Sequence, residues 1–172
     1  MTADMKEDTA VIPVILLDAL KKMKHIQVSI SRSPDSDDLP LPTYQTVGSS
    51  GMDLYAAVIE DVVIPSHETR LIPTGVSIAL PAGYEAQIRP RSGLALKHGI
   101  TMLNTPGTID SDYRGLISLI MINLGKQPFV VTRGMRVAQM VIQEVVRVDW
   151  SEVQTLEVTQ RASGGFGSTG VQ

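Results

Sequence analysis

The chain contains no cysteine and only three histidines among its 172 residues. The absence of cysteine excludes disulfides, thiolate nucleophiles, iron-sulfur clusters and cysteine-ligated zinc. Because His25, His67 and His98 lie far apart and form no His-x-x-x-His pair, a histidine-rich metal centre has no support either. Any chemistry must therefore come from carboxylates, hydroxyls, arginines and the backbone. A chain without cysteine is typical of a reducing compartment, so we predict a cytoplasmic protein.

Long apolar runs are also missing. The apolar stretch 10–17 contains Pro13 and is shorter than the about 20 residues needed to cross a bilayer. Acidic residues precede it and no small-residue cleavage site follows it, which does not fit a signal peptide. We therefore predict no membrane association, and we interpret residues 1–23 as an N-terminal extension. The rest of the chain suits one domain, since domains usually have roughly 100 to 200 residues.

Positive charge is scarce, with a formal net charge of −3. This balance does not fit a protein that holds nucleic acid on a wide basic surface, so we predict no stable nucleic-acid binding. Four of the six lysines fall in the first 24 residues, whereas all nine arginines come later. The planar guanidinium group matches phosphate or carboxylate, although a surface ion pair is the simpler interpretation of any single arginine.

Short strand-like runs separated by Gly and Pro turns dominate the sequence from Lys24 onward. Ile26, Val28 and Ile30 alternate with polar residues, as in a strand with one buried face. Helix is predicted only at 14–23 and 92–97, and 35–46 is predicted to be a loop. The further predicted strands are 54–57, 62–64, 69–74, 76–80, 84–90, 116–123, 129–131 and 136–146. This pattern indicates an all-β sandwich, jelly roll or barrel.

Two segments concentrate groups suited to a nucleotide. Residues 89–93 (RPRSG) end a predicted strand and open the short helix, so two arginines, a hydroxyl and free amides form a candidate polyphosphate cradle. Residues 104–115 contain a Thr-Pro-Gly turn, which predicts a hairpin whose free edge can pair with a planar base. There, Asp110 or Asp112 can orient a water or hold one attached to a metal. A capped helix with solvated arginines and an ordinary acidic turn are the alternatives.

Weaker signals lie elsewhere in the chain. Asp53 follows Gly51 at a strand start, where a turn-capping role is the simpler interpretation. Gln139 lies in an apolar run and either faces solvent or donates to a ligand. The Gly-rich tail carries Phe166, with Arg161 just upstream, and a lid that closes over a ring explains all three features. A disordered tail is the alternative.

Five segments, taken in order, resemble the five motifs of the trimeric dUTPases, the deoxyuridine triphosphate nucleotidohydrolases. They are 50–56 (SGMDLYA), 89–95 (RPRSGLA), Asn104 with 107–115 (GTIDSDYRG), 136–140 (RVAQM) and 161–170 (RASGGFGSTG). Five motifs in the right order and spacing are far more specific than any one of them. The resemblance covers about residues 24 to 172.

The resemblance implies an all-β, jelly-roll-like distorted barrel with one short helix, assembled as a homotrimer with its sites between subunits. Residues 24–158 would form this β domain, and 159–172 would form a mobile Gly-rich arm that closes over the site. The implied enzyme is a dUTP diphosphatase, in which water attacks the α-phosphorus to give dUMP and pyrophosphate, with Mg²⁺ on the triphosphate. Such an enzyme supplies dUMP for dTMP synthesis and keeps uracil out of DNA.

The same resemblance implies a role for each site residue. Asp110 would activate the attacking water, Asp53 would hold Mg²⁺ through a water, and Tyr113 would lie against the deoxyribose. The residues implied for uracil are Asn104, Thr108 and Ile109, and Gly107 is implied as a further substrate-binding residue. Those implied for the phosphates are Arg91, Ser92, Gly93 and Gln139. Those of the arm, closing from a neighbouring subunit, are Arg161 on the γ-phosphate, Phe166 over the uracil, Gly167 and Ser168.

One position departs from the family pattern, because Ala162 stands where the final motif usually has Gly. If this residue needs a positive φ, the cost is roughly 1 kcal/mol or more and falls on closure of the arm.

Two other functions stay open at this point. A dCTP deaminase resembles the same fold, but it needs a glutamate base near the predicted hairpin, and residues 103–115 contain no Glu. A protein that senses dUTP and acts on a partner without turnover is the second. Asp110 argues against loss of catalysis, although it leaves a second, regulatory role open.

Overall fold

The computed structural model describes residues 24–165, which form twelve β-strands, one α-helix and a short 3₁₀ turn at Pro34–Ser36. The helix α1 is Ser92–His98. The strands are β1 Ser29–Arg32, β2 Thr43–Tyr44, β3 Met52–Tyr55, β4 Val62–Ile64, β5 Thr69–Pro73, β6 Val76–Ala79, β7 Tyr84–Pro90, β8 Ile100–Met102, β9 Gly107–Ile109, β10 Ser118–Asn123, β11 Phe129–Val131 and β12 Arg136–Glu144. The predicted mostly-β class with one short helix is confirmed. The helix predicted at 14–23 lies outside the described residues.

Most strands lie where the period-two pattern predicts them, and β4, β7 and β11 match the predicted bounds. The first strand begins at Ser29 rather than near Lys24, because its partner β6 ends at Ala79, opposite Ser29. The predicted strands do not include β2, β8 and β9, which are two or three residues long, although a hairpin was predicted around β9. The predicted loop 35–46 was therefore wrong at Thr43–Tyr44, which pairs with β3. Runs this short carry too few residues for a period to be detected.

The strands form four antiparallel sheets around one core. The largest has the order β2-β3-β12-β7-β9, a second has β5-β10-β8, and two pairs are β1-β6 and β11-β4. The core takes side chains from all four sheets, among them Leu54, Ile64, Ile72 and Ile78. β12 is the longest strand and pairs with β3 on one side and β7 on the other. These three strands bring residues of the motifs 50–56, 89–95 and 136–140 side by side in one sheet. No helix among residues 24–165 is long and apolar enough to cross a membrane.

A buried amide fixes the turn between β10 and β11. Asn123 is fully buried, and its Nδ2 donates to the carbonyls of Ile64 at 2.9 Å and Gln127 at 2.8 Å. Its Oδ1 accepts from the N–H of Gly125 at 2.9 Å. At Gly99, where φ is +69°, a Cβ would lie 2.5 Å from the Gly125 nitrogen, so only glycine fits there. The end of α1 and this turn are thus held tightly together.

Candidate active site

A cavity of about 400 Å³ opens between β9, the turn that follows it, and strands β5 and β10. Its apolar wall includes Leu71, Leu116 and Ile120. Its polar wall comes from residues 104–113. Six of the predicted site residues line it, namely Asn104, Gly107, Thr108, Ile109, Asp110 and Tyr113. Among the described residues, the structure therefore brings together those that the resemblance implied for the uracil, the sugar and the attacking water.

Strand β9 lies at the edge of the five-stranded sheet. It pairs with β7 on one side, where Gly107 lies opposite Ile88 and Ile109 opposite Ala86. Its other edge has no strand partner among residues 24–165. Backbone N–H and C=O groups on such an edge can pair with a planar base as they would with another strand. The free edge expected from the sequence is present, next to the cavity.

The predicted hairpin itself was wrong. The strands that flank the Thr-Pro-Gly turn do not pair with each other, because β8 pairs with β10 while β9 pairs with β7. Ile100 and Met102 in β8 are buried in the core, which draws β8 into the three-stranded sheet. The turn therefore joins two sheets, and the cavity lies where they diverge.

Tyr113 is held by its own turn. Its hydroxyl donates to the Leu116 carbonyl at 3.1 Å, and its N–H donates to the Asp110 carbonyl at 3.1 Å. A Cβ added at Gly115 would collide with the Tyr113 hydroxyl and lie 3.0 Å from its Cε2. Glycine at 115 therefore leaves the space that the tyrosine ring occupies. The ring is still 44% exposed, so one side remains open to a ligand.

A second cluster surrounds Asp53, whose side chain is 1% exposed. Arg91 Nε lies 3.3 Å from its Oδ1, and Arg136 Nη1 lies 3.2 Å from its Oδ2. Arg91 also donates from Nη1 to the Arg136 carbonyl at 3.1 Å. Buried carboxylates need such partners, because an unpaired buried charge is very costly. Asp53 thus lies within β3 and pairs with arginines, instead of capping a turn.

Gln139 lies in the same row of the sheet. It is opposite Asp53 on one side and opposite Arg89 on the other. Directly opposite residues in an antiparallel pair point to the same face. A Cβ added at Gly51 would lie 3.3 Å from Gln139 Cβ, so glycine permits this close approach. The motifs that begin near residues 50, 89 and 136 therefore meet on one face of the sheet.

The described residues fit a magnesium ion that is held mainly by a ligand. Residues 24–165 contain no cluster of three acidic or histidine side chains that could hold a metal unaided. Mg²⁺ usually keeps several waters and uses one or two carboxylates together with substrate phosphates. Asp53 Oδ1 is buried and makes no hydrogen bond, so it has a free acceptor position for a water of a hydrated ion.

Residues 159–165 are the described part of the segment predicted to form an arm. Arg161 is exposed, and its Nε donates to the Gly164 carbonyl at 2.9 Å. Ala162 has a φ of +42°, in the region that favours glycine. This is the conformation on which the predicted cost at this residue depended. Phe166, Gly167 and Ser168 lie outside the described residues.

The other predicted site residues within 24–165 do not line this cavity of the single chain. They are Arg91, Ser92, Gly93, Gln139, Asp53 and Arg161. Sequence reasoning also missed several contributors. Arg136 was quoted in a motif but given no role, although it pairs with Asp53. Leu71 and Ile120 form part of the cavity wall, and as ordinary strand residues they carry no chemical signal in the sequence.

A family model described as dUTPase matches residues 37–170. The chain belongs to the dUTPase family. Two curated relatives, both named deoxyuridine 5'-triphosphate nucleotidohydrolase, agree with this assignment. The one from Caldanaerobacter subterraneus subsp. tengcongensis is 61% identical over 146 residues, which cover 85% of this chain and 99% of the relative. The one from Rickettsia canadensis is 62% identical over 131 residues, covering 76% and 88%. The resemblance stated from the five motifs is confirmed.

Solved dUTPase structures share the fold of this family member. The dUTPase of Staphylococcus phage 80alpha, with dUpNHpp bound, has a TM-score of 0.72 at 24% identity, covering 84% of this chain and 99% of that one. A variant of the dUTPase of Staphylococcus aureus phage phi11, described with a structural Mg(II) ion, has a TM-score of 0.68 at 21% identity, covering 77% and 100%. At these identities the likeness shows the fold.

Proposed function

We propose that this chain is a dUTP diphosphatase that converts dUTP and water to dUMP and pyrophosphate. The single observation that carries the proposal is the cavity in which Asp110, Tyr113 and the free edge of β9 meet. It holds a carboxylate for water, an aromatic ring for a sugar, and backbone groups for a base. The two relatives at 61% and 62% identity support the choice of dUTP as substrate.

Uracil is recognised by hydrogen bonds in this proposal. The edge groups of β9 around Thr108, together with the Asn104 amide, pair with the polar edge of the ring. A cytosine leaves donors and acceptors unpaired in the same place, and such mismatches are strongly rejected. The thymine methyl is excluded by close packing instead.

The chemical step is an in-line attack by water on the α-phosphorus. Asp110 orients the water through a hydrogen bond and accepts its proton as the new P–O bond forms. The bond from the α-phosphorus to the bridging oxygen breaks, and pyrophosphate leaves with that oxygen. Asp110 is exposed to the cavity and ion-pairs with no residue among 24–165, so its carboxylate is available to a water.

The phosphates are held by Arg91, Ser92, Gly93 and Gln139, with Arg161 brought by the arm. Arginine and amide donors stabilise the negative charge that spreads over the phosphate oxygens during transfer. Asp53 orients Arg91 through the ion pair described above. Asp53 would also hold Mg²⁺ through a water, while the triphosphate supplies most of its ligands. When bound, Mg²⁺ neutralises phosphate charge and polarises the P–O bonds.

A homotrimer of jelly-roll-like subunits completes the proposed site. In one chain the phosphate-binding residues do not line the cavity that holds Asp110 and Tyr113, which supports a site shared between subunits. Residues 145–158 follow β12 with no regular structure and expose many apolar side chains, including Trp150 at 92%. A patch of this kind marks an interface. In this proposal 1–23 are an extension, 24–158 the β domain and 159–172 the arm of a neighbouring subunit.

A substrate panel tests the proposal. The full chain with Mg²⁺ is incubated with dUTP, UTP, dCTP or dTTP, and pyrophosphate, orthophosphate and ammonia are measured. We expect pyrophosphate from dUTP, with little release from the other three. Ammonia from dCTP would identify a deaminase. Tight dUTP binding without any turnover would identify a sensor.

Substituting Gly115→Ala is expected to lower the preference for dUTP over UTP by about tenfold, measured as the ratio of kcat/KM values. In the proposed site the Tyr113 ring lies against the deoxyribose and leaves no room for a ribose 2′-hydroxyl. The added Cβ collides with the Tyr113 hydroxyl and forces the ring away from that position. Gly48→Ala is the matched control, because a Cβ there meets nothing within 4 Å. An unchanged ratio in Gly115→Ala would contradict the role given to Tyr113.

Substituting Ala162→Gly is expected to raise kcat/KM for dUTP about threefold. In the proposed closed arm residue 162 keeps the φ of +42°, which glycine adopts without the cost of roughly 1 kcal/mol that alanine carries there, so the closed arm becomes more populated. Ser163→Gly is the control, since it adds a glycine to the same segment where φ is not positive. The same gain in both variants, or a loss in Ala162→Gly, would show that the strain at 162 does not govern closure.

A further inference from the structure

A second cleft, of about 370 Å³, lies between the end of α1 and the turn that joins β10 to β11. None of its lining residues has a role in the proposed reaction. The residues that line it include Lys97, His98 and Gly99 from the helix end and Lys126, Gln127 and Phe129 from the turn and β11. The cleft is therefore a separate feature of the surface.

Both lysines that follow residue 24 in the sequence line this one cleft. The same part of the chain contains nine arginines, so lysine is the less common basic residue there. Even so, both of its lysines lie at the same cleft. Both side chains are exposed, and neither forms an ion pair within residues 24–165. No acidic residue lines the cleft. Within residues 24–165, no ion pair therefore compensates the charge of the cleft.

The two lysines project from supports that are fixed relative to each other. The Asn123 amide holds the turn at Gln127 and Gly125, and the Leu124 N–H donates to the Gly99 carbonyl at 2.9 Å. The rings of His98 and Phe129 are in contact across the cleft, with centroids 5.2 Å apart and planes tilted by 51°. The cleft is therefore preorganised, which lowers the entropic cost of ligand binding.

We propose that this cleft binds a phosphate-type oxyanion, such as orthophosphate or pyrophosphate. Lysine is a compact point charge with three donors and is a standard phosphate ligand. Lys126 and Gln127 line the cleft, and their N–H groups make no hydrogen bond within residues 24–165, so both are free to donate to a ligand. The C-terminal end of α1 carries partial negative charge and favours a nearby cation, which explains Lys97 in its last turn. This effect does not explain Lys126, which lies in the turn between β10 and β11.

Imidazole NMR of the full chain tests this site directly, because His98 reports on the cleft, and His25 and His67 serve as internal references. Orthophosphate is titrated at constant pH and ionic strength, and the titration is repeated with pyrophosphate. We expect a saturable shift of the His98 signals in either titration. The double variant Lys97→Gln with Lys126→Gln should weaken the apparent affinity by about tenfold or more.

Two matched variants separate specific binding from loss of charge. Lys24→Gln removes the same charge from a lysine that pairs with Glu144 outside the cleft, and it should leave the His98 titration unchanged. Lys97→Arg keeps the positive charge and should retain binding. The proposal is overturned if the His98 shift does not saturate, if chloride at equal ionic strength reproduces it, or if the double variant titrates like the unaltered chain.

Discussion

Replacing Asp110 by asparagine is expected to lower kcat for dUTP by about 10² to 10⁴-fold, while the affinity for a non-hydrolysable dUTP analogue changes little. Asparagine keeps the size of the side chain and can still hydrogen-bond a water, but it accepts no proton during the attack. Because the lost interaction belongs to the transition state, kcat and kcat/KM should fall together. Pyrophosphate release gives the rates, and calorimetry with the analogue gives the affinity.

Asp112→Asn is the matched control for this prediction. Asp112 lies two residues away in the same turn, is exposed, and does not line the cavity. Its replacement removes an identical charge without removing the proposed base, so the rate should stay close to that of the unaltered enzyme. An equal loss of rate in both variants would show that Asp110 acts only through its negative charge and not as a base. A near-normal rate in Asp110→Asn would remove the assigned role altogether.

Deleting residues 159–172 is expected to leave a folded, assembled protein whose kcat/KM for dUTP is lower by roughly 10²-fold. The loss combines an arginine bond to a phosphate with an aromatic contact to the base. The fold should survive because the buried apolar residues of the described chain all lie between Leu39 and Val141, and residues 159–165 add no strand or helix. Steady-state kinetics, thermal melting and sedimentation measure activity, folding and assembly separately.

A point variant tests whether the aromatic side chain of the arm, and not only the presence of the segment, is needed for activity. In the full-length chain, Phe166→Ala should reproduce part of the kinetic loss with no change in melting temperature or assembly. Thr159→Ser, at the boundary of the deleted segment, is the conservative control and should behave as the unaltered chain does. If the truncated protein turns over dUTP at the full rate, the arm does not close the site.

The local pattern of apolar and polar residues predicted where the strands of this fold lie better than it predicted which strands pair with each other. The alternation of apolar and polar residues placed β7 and β11 at their observed bounds, because one face of each strand packs on the core. Pairing depends on residues far away in sequence. The Thr-Pro-Gly turn therefore predicted a hairpin, whereas burial of Ile100 and Met102 sends β8 to β10 in a different sheet.

The sequence predicted those residues of the candidate site that have a polar or aromatic side chain and belong to a recognisable motif. Asn104, Asp110 and Tyr113 do, and the structure gathers them in one cavity. The partners of Asp53 could not be predicted, because they follow from the register of β3 against β12 and from the position of Arg91 at the start of α1. Leu71 and Ile120 could not be predicted either, since an apolar residue on a strand looks the same in a core and in a cavity wall.

Hydrolysis of dUTP in ¹⁸O-labelled water with Mg²⁺ tests the central claim most directly. Attack on the α-phosphorus by a water at Asp110 predicts one ¹⁸O atom in dUMP and none in pyrophosphate, as measured by mass spectrometry of both products. Label in the pyrophosphate, or formation of dUDP and orthophosphate, would contradict the proposed attack at the α-phosphorus.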